Sequence, residues 1–332
     1  GEDEADEKEA EEKPDPLLDP ERWADALRFD IKPMIETEDG AHMATPSRDG
    51  MSLAFLSGLG DIHIRDLATG EDRLLRAGWD TGVDFRWSHD SRWVVFAQSD
   101  MNFNRDVFMV PADGGREPVN ITRHPDNDGS PRLSGDGRIL AFSSERNNEE
   151  YDPYIVFLDR SLQGLAEPEL DEYFEKQEKA AKGRKPLDPD KLRKRLAARR
   201  NGEEEPEKEA EEVPFTDEDL ETAYLRVRQV TNLPGSSSSI ELVPAGDTIL
   251  FNYSTSAPSA SGLHSIGWDG SGRKRLGDTV GMQGLDLTGA SLIAVDGGRA
   301  ESITISTGKA RGYPISQKIR VDLATQSSEK FL

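Results

Sequence analysis

A chain of 332 residues with 35% hydrophobic and 32% charged residues is long enough to bury a sizeable core, yet too polar to fold evenly along its length. A net charge of −23 disfavours a nucleic-acid partner, because the chain as a whole repels phosphate. The absence of cysteine excludes disulfides, thiolate metal sites and a cysteine nucleophile, and no apolar run approaches the length of a membrane span.

In chain order, residues 1–16 (GEDEADEKEAEEKPDP) form an acidic run, and residues 1–19 are expected to be a disordered, solvating segment. The sequence starts at Gly and its N-terminus lacks a signal-peptide pattern, so it reads as a piece of a longer protein. Residues 20–43 offer candidate strands of one further repeat unit.

From there a phrase recurs. TPSRDGMSLAFLS (45–57), RWSHDSRWVVFAQS (86–99) and RLSGDGRILAFSSE (132–145) share Ser-x-Asp-(Gly/Ser), then two apolar residues and Phe. The aspartates are Asp49, Asp90 and Asp136, and the phenylalanines are Phe55, Phe96 and Phe142, at offsets of 41 and 46 residues. That is the period of a four-stranded propeller blade. A second phrase follows each copy: DIHIRDLATGEDRLL (61–75), DVFMVPADGGREPVNIT (106–122) and DPYIVFLD (152–159). Alternating apolar strands bounded by Asp-Gly or Gly-Gly are hairpin signatures, and the apolar run ending in Phe is expected to be a buried inner strand.

The repeat weakens beyond the third copy. VPAGDTILFNY (243–253) ends in Phe251, and LTGASLIAVDGG (287–298) is fainter, with Gly289 at the turn. Five blade cores are visible, and the intact ring is expected to hold six or seven within the range known for propellers. GKARGYPISQKIRVDL (308–323) suggests a further strand pair able to close a ring.

Between the third and fourth copies lies a charged excursion over residues 160–222. A helix is expected from about Pro168, with Leu170, Tyr173 and Phe174 on one face. A second starts at Asp188 as N-cap and Pro189, and runs through KLRKRLAARR (191–200), where six of ten residues are basic. The acidic run EEEPEKEAEE (203–212) follows and offsets that charge, so a surface excursion is expected in place of a nucleic-acid or localisation signal. The expected organisation is therefore an acidic segment 1–19, blades over 20–159, the insertion 160–222, further blades over 223–323, and a truncated junction 324–332.

No chemistry stands out. GLHSIGWDG (262–270) places His264 beside Ser265, but its glycine spacing is not that of a nucleophile elbow, and neighbouring strand residues point to opposite faces. His42, His63, His89, His124 and His264 match no metal-ligand spacing. HPDNDG (124–129) lacks the first aspartate and closing glutamate of a calcium loop. The repeat aspartates are expected to serve turns, because they repeat; no catalytic, metal or cofactor residue is expected, and no cofactor.

The phrases SRDGMSLAFLS, SGDGRILAFSSER and DVFMVPADGGREPVNIT resemble the Asp-rich, WD-repeat-like blades of tricorn-type proteases. Similar blades occur in Tol-associated propellers and in prolyl-oligopeptidase-type peptidases. More specifically, YDPYIVFLD, the charged insertion and DLETAYLRVRQVTNLPG (219–235) resemble the second propeller of bacterial tricorn-type proteases. ISQKIRVDL (315–323) is similar to the junction before that family's catalytic half, and the resemblance covers residues 43–323. It implies a non-catalytic propeller that guides peptides or unfolded polypeptide, serving protease and PDZ-like domains of the same parent chain. The parent is then a serine-peptidase candidate, with none of its catalytic residues in this sequence. The alternative is a free-standing protein-binding propeller of the Tol-associated type. Neither nucleic acid nor membrane is expected as a partner; homo-oligomerisation is left open. The expected compartment is the cytoplasm, with the periplasm as the other choice.

Overall fold

The computed structural model describes residues 33–147, 149–203 and 213–314. The chain divides into two units, residues 1–40 and 41–332. In the first, the described residues 33–40 hold a turn closed by the Gly40 amide on the Thr37 carbonyl at 3.3 Å, and no strand. The acidic run 1–19, the candidate strands up to residue 32, the acidic residues 204–212 and the proposed closing strand 315–323 lie outside the described residues, as does the junction 324–332.

The second unit is built of five four-stranded antiparallel sheets, here called blades, each paired in chain order. The first holds β1 (Ala41–Pro46), β2 (Ser52–Ser57), β3 (Asp61–Asp66) and β4 (Asp72–Arg76). The second holds β5 (Asp84–Trp87), β6 (Trp93–Ser99), β7 (Arg105–Pro111) and β8 (Val119–Asn120). The third holds β9 (Asp128–Leu133), β10 (Ile139–Asn147), β11 (Glu150–Phe157) and β12 (Arg228–Gln229). The fourth holds β13 (Ser236–Leu242), β14 (Thr248–Ser254), β15 (Gly262–Gly267) and β16 (Lys274–Gly277). The fifth holds β17 (Gly281–Leu285), β18 (Ser291–Asp296), β19 (Arg299–Thr304) and β20 (Ala310–Gly312).

The repeated phenylalanines explain why each second strand is buried. Phe55, Phe96, Phe142 and Phe251 are all fully buried, and each faces an aromatic ring directly across the ladder to the third strand. The register pairs Phe55 with His63, Phe96 with Phe108, Phe142 with Tyr154 and Phe251 with His264. Their ring centroids are 5.2, 5.4, 5.8 and 5.7 Å apart, with near-parallel planes. Such pairs contribute about 0.5–1.5 kcal/mol beyond the area they bury.

Apolar clusters then join each blade to the next. Leu56 and Ile64 meet Phe85 and Val94 between the first and second blades, and Val107 and Met109 meet Leu140 and Val156 between the second and third. Ile139 and Phe157 meet Ile240 and Phe251 between the third and fourth; Leu250 and Leu263 meet Leu292 and Ala294 between the fourth and fifth. Single hydrogen bonds reinforce the stacking. The Trp87 indole N–H donates to the Thr45 carbonyl at 3.0 Å, and the Gly135 amide donates to the Pro244 carbonyl at 2.8 Å.

The insertion occupies residues 158–227, between β11 and β12 of the third blade. It holds helices α1 (Arg160–Gln163), α2 (Glu167–Lys182), α3 (Pro189–Arg200) and α4 (Asp217–Glu221), and a 3-10 turn at Ala223–Arg226. Leu170 and Phe174 of α2 are buried against the third and fourth blades, while α3 buries no residue. The Asp188 carboxylate caps α3 by accepting from the amides of Asp190 and Lys191, with Pro189 at the first helical position. Among the described residues, no helix is long and apolar enough to cross a membrane.

Candidate functional site

The repeat aspartates sit in the turns between first and second strands, and three blades build that turn identically. The hydroxyls of Ser47, Ser88 and Ser134 donate to Asp49, Asp90 and Asp136 at 2.5–2.7 Å. Each carboxylate also accepts the amide two residues on, at Met51, Arg92 and Arg138. The same serines accept from the amides of Ser52, Trp93 and Ile139, which start or directly precede the second strand. These carboxylates are thus committed to backbone groups that would otherwise be orphaned. In the fourth blade Val243 and Gly246 close the turn through backbone alone, with Gly246 N–H donating to Val243 O at 2.8 Å.

A second set of aspartates is legible in the sequence only as the start of each second phrase. Asp61 accepts the Gly78 amide at 2.6 Å, Asp106 accepts the Thr122 hydroxyl and the His124 amide at 3.0 Å each, and Asp152 accepts the Gln229 side chain at 3.0 Å. Each opens or nearly opens a third strand and fastens the segment leaving its own blade. Burial pushes the Asp152 carboxyl up to about 6, and its Oδ1 has no hydrogen-bond partner.

The first strands of neighbouring blades approach one another, β5 to β9, β9 to β13 and β13 to β17, as the innermost strands of propeller blades do around a channel. Four of the five first strands carry a bulge; that of β17 falls between Met282 and Gly284, and the other three share one form. Their register shifts fall between His42 and Thr45, between Gly129 and Arg132, and between Ser238 and Glu241. Within them Met43, Ser130 and Ser239 adopt φ of 53°, 52° and 49°. A left-handed non-glycine residue costs about 1–3 kcal/mol and persists where the surroundings impose it. A bulge re-aims the side chains next to it.

The side chains at this inner edge are charged. The Arg132 guanidinium lies 2.9 Å from Glu241 of the fourth blade and 3.8 Å from Asp84 of the second, so it ties three inner strands together. Arg86, two residues after Asp84, bonds that carboxylate at 2.9 Å and keeps 41% of its side chain exposed. Burial, and then repulsion from Arg132, lowers the Arg86 pKa. Nothing in the sequence singles out these four residues. Their spacing within each repeat carries no signal, because the network exists only once the blades are stacked.

Other sequence candidates are separated or occupied. His264 is buried, bonds the Ala260 carbonyl at 3.0 Å through Nε2 and stacks on Phe251; its neighbour Ser265 alternates to the other side of β15. In the 124–129 loop, Asp128 is fully buried and held by Arg146 at 2.6 Å, and Asn127 is bound to Glu145. No group of three or more His, Asp or Glu able to hold a metal occurs among the described residues. A cavity of about 470 Å³ lies between the third blade and α4, lined by Arg138, Asp159, Arg160, Phe215 and Asp219 among others.

No protein-family model matches the sequence, and no curated protein matches it. Among solved structures, the chain is similar to the tricorn protease at a TM-score of 0.56 and 15% identity, over 83% of this chain and 26% of that one. It is similar to TolB from Acinetobacter baumannii at a TM-score of 0.52 and 12% identity, over 86% of this chain and 56% of that one. A protein assigned as TolB from Agrobacterium tumefaciens gives a TM-score of 0.50 and 13% identity, over 84% and 82%. The chain is an all-β propeller. At these identities the likeness concerns the fold alone, and a propeller is a platform that many binding functions share. The chain spans 26% and 56% of the first and second of those relatives, so it corresponds to a part of each.

Proposed function

We infer that this propeller is a non-catalytic part of a tricorn-like serine peptidase, a channel and scaffold that guides unfolded peptides for a catalytic half elsewhere in the parent chain. The observation that carries the reading is the inner edge: bulged first strands bearing Arg86, Arg132, Asp84 and Glu241 beside them. A row of mutually compensated charges, from the largely covered Arg132 and Glu241 to the more exposed Arg86, suits weak and sequence-tolerant contact with a passing backbone. A ring of six or seven blades in the cytoplasm belongs to the same reading; the exposure of β1 at five of its six positions leaves a side of the first blade for a further blade to cover.

The second reading, a free-standing protein-binding propeller of the TolB kind, draws on the 82% coverage of the Agrobacterium protein. Two measurements separate them. Fluorogenic-peptide turnover by the full-length parent, with this chain inert alone, supports the first; an inert parent favours the second. Anisotropy of a labelled, unstructured peptide tests the channel itself. Weak binding that falls about five- to tenfold in Arg86→Ala supports guidance, by loss of an exposed charge-assisted contact. Binding unchanged in Arg86→Ala removes the inner edge from the account.

A further inference from the structure

The insertion leaves the third blade where the first blade has only the short turn 67–71 between β3 and β4. It therefore emerges at the end of the blades that carries the Ser-x-Asp turns, and it lies over that end. Its first anchor is apolar. Leu170 and Phe174 of α2 are buried between the third and fourth blades, Phe174 meets the Trp268 ring at 5.8 Å, and the Tyr173 hydroxyl donates to Asp136 at 2.7 Å.

The second anchor is of another kind. Helix α3 buries nothing, and it meets the first blade through arginines and through Leu192, which is only partly covered. Arg199 reaches Asp66 at 2.6 Å, Arg200 donates to the Ala68 carbonyl at 3.0 Å, and Arg195 reaches the Asp49 carbonyl at 3.4 Å. Leu187 and Leu192 rest on Gly50, where a Cβ would lie 2.9–3.2 Å from their methyl groups. Of the three, Arg199–Asp66 is an ion pair, worth about 0.2–1 kcal/mol and weakened by salt, and the other two are hydrogen bonds from a guanidinium to a backbone carbonyl.

The path between the anchors is short. Arg184 lies against Gly135 in the third blade's turn, and Leu187 already touches Gly50 in the first blade's. Three residues of extended chain span at most about 11 Å. The turn of the second blade stands between those two, so segment 184–187 crosses the turn end of the blades from the third to the first. His89 of the second blade's turn lies within electrostatic reach of Arg184 at this crossing. Burial, and then the charges of Arg184 and Arg48, hold its imidazole down at about 4. Arg184 from the insertion and Arg48 from the first blade thus converge at the crossing, a repulsion the docked state has to overcome.

The geometry points to residues 160–203 being a strap with one fixed and one detachable end: α2 is fixed, α3 is a salt-sensitive latch on the first blade, and segment 184–187 closes the turn-side mouth of the channel while the latch holds. With the latch closed, a ligand reaches the inner edge from the opposite mouth. Released, the strap swings on α2 and opens a second one. This holds whether or not the ligand is a peptide.

The chain has no cysteine, so His89→Cys supplies a single thiol at the crossing, and Asp296→Cys an exposed control on the fifth blade. Maleimide labelling is followed in low and in high salt, and in low salt with Arg195, Arg199 and Arg200 all changed to Ala. The expected result is a rise of about tenfold at position 89 on adding salt or removing the arginines, the sum of three weak contacts. The control rate stays constant, and near-ultraviolet circular dichroism stays native. Equal rates at position 89 with the latch present and absent overturn the strap. So does a parallel rise at position 296, which reports general opening of the blades. Where the triple variant does not fold, the salt arm on the His89→Cys protein decides alone.

Discussion

The third and fifth blades have one topology and very different interiors. In the third, Phe142 stacks on Tyr154, the Ser134–Asp136 pair closes the inner turn, and β10 is buried over its first six residues. In the fifth, the matching cross-strand pair is Ala294 with Glu301, and β18 buries only Leu292 and Ala294. The fifth turn is closed by Asp286, which accepts from the Thr288 hydroxyl and the Ala290 amide at 3.0 Å each. The carboxylate and hydroxyl have exchanged places, and the geometry survives. The comparison separates two jobs that the repeat sequence performs together. Turn chemistry and the backbone ladder specify a blade's shape, whereas aromatic burial sets how firmly it is held.

The contrast breaks most visibly at the ring stack. Phe142→Ala is expected to cost about 3–5 kcal/mol, and Ile303→Ala in the fifth blade nearer the low end of about 2–5 kcal/mol, read from urea unfolding. Native-state hydrogen exchange should likewise open β18 and β19 before β10 and β11. Glycine substitutions sharpen the same comparison. Gly137 and Gly289 share φ of +75°, but a Cβ on Gly137 meets open space, whereas one on Gly289 lies 2.2 Å from Pro244 of the fourth blade. Gly137→Ala should cost about 1–2 kcal/mol for the backbone alone. Gly289→Ala should add about 1–3 kcal/mol of overpacking and loosen the junction of the fourth and fifth blades. Asp136→Ala, which strips partners from Ser134, the Arg138 amide and Tyr173, is expected to cost about 1–3 kcal/mol in thermal unfolding.

Two further effects are titrations. Asp152 in the third blade is pushed up to about 6, above the ordinary aspartate value of 3.8, so the native state binds its proton first. Its contribution is fully present below the ordinary value and is lost as pH rises through about 6. Asp152→Asn should flatten that slope. His89 acts in the opposite sense. Held at about 4 against an ordinary 6.5, it makes the unfolded chain the better proton acceptor, so stability falls as pH drops between those values. His89→Gln should remove that fall and leave the Asp152 slope in place, as urea midpoints across the range would show.

Much of this fold is legible in the sequence because its signals are local. Asp49, Asp90 and Asp136 stand two residues after their serines, and the apolar run to Phe55, Phe96 or Phe142 comes at fixed spacing. The rings opposite those phenylalanines are less legible, since His63 lies nearer its partner along the chain than Phe108 and Tyr154 lie to theirs, and only the register brings all three into line. The inner edge is less legible still. Arg132 and Glu241 are 109 residues apart, and nothing in either neighbourhood announces the other. The basic helix 189–200 reads as a solvated surface element, and its lack of buried residues fits that reading; its docking on Asp66 and Ala68 depends on a loop that folds back across the molecule.

The placement of the insertion inside the third blade has a consequence for the order in which the protein is made. β11 ends at Phe157 and β12 begins at Arg228, so 70 residues are synthesised between two strands that must pair. At ribosomal rates of about 5–20 residues per second, the third blade waits roughly 4–14 s for its outer strand. During that interval the first two blades are complete and α3 is already available to settle on the first. Until β12 arrives, β11 presents an unpaired edge of the kind that invites pairing with another chain.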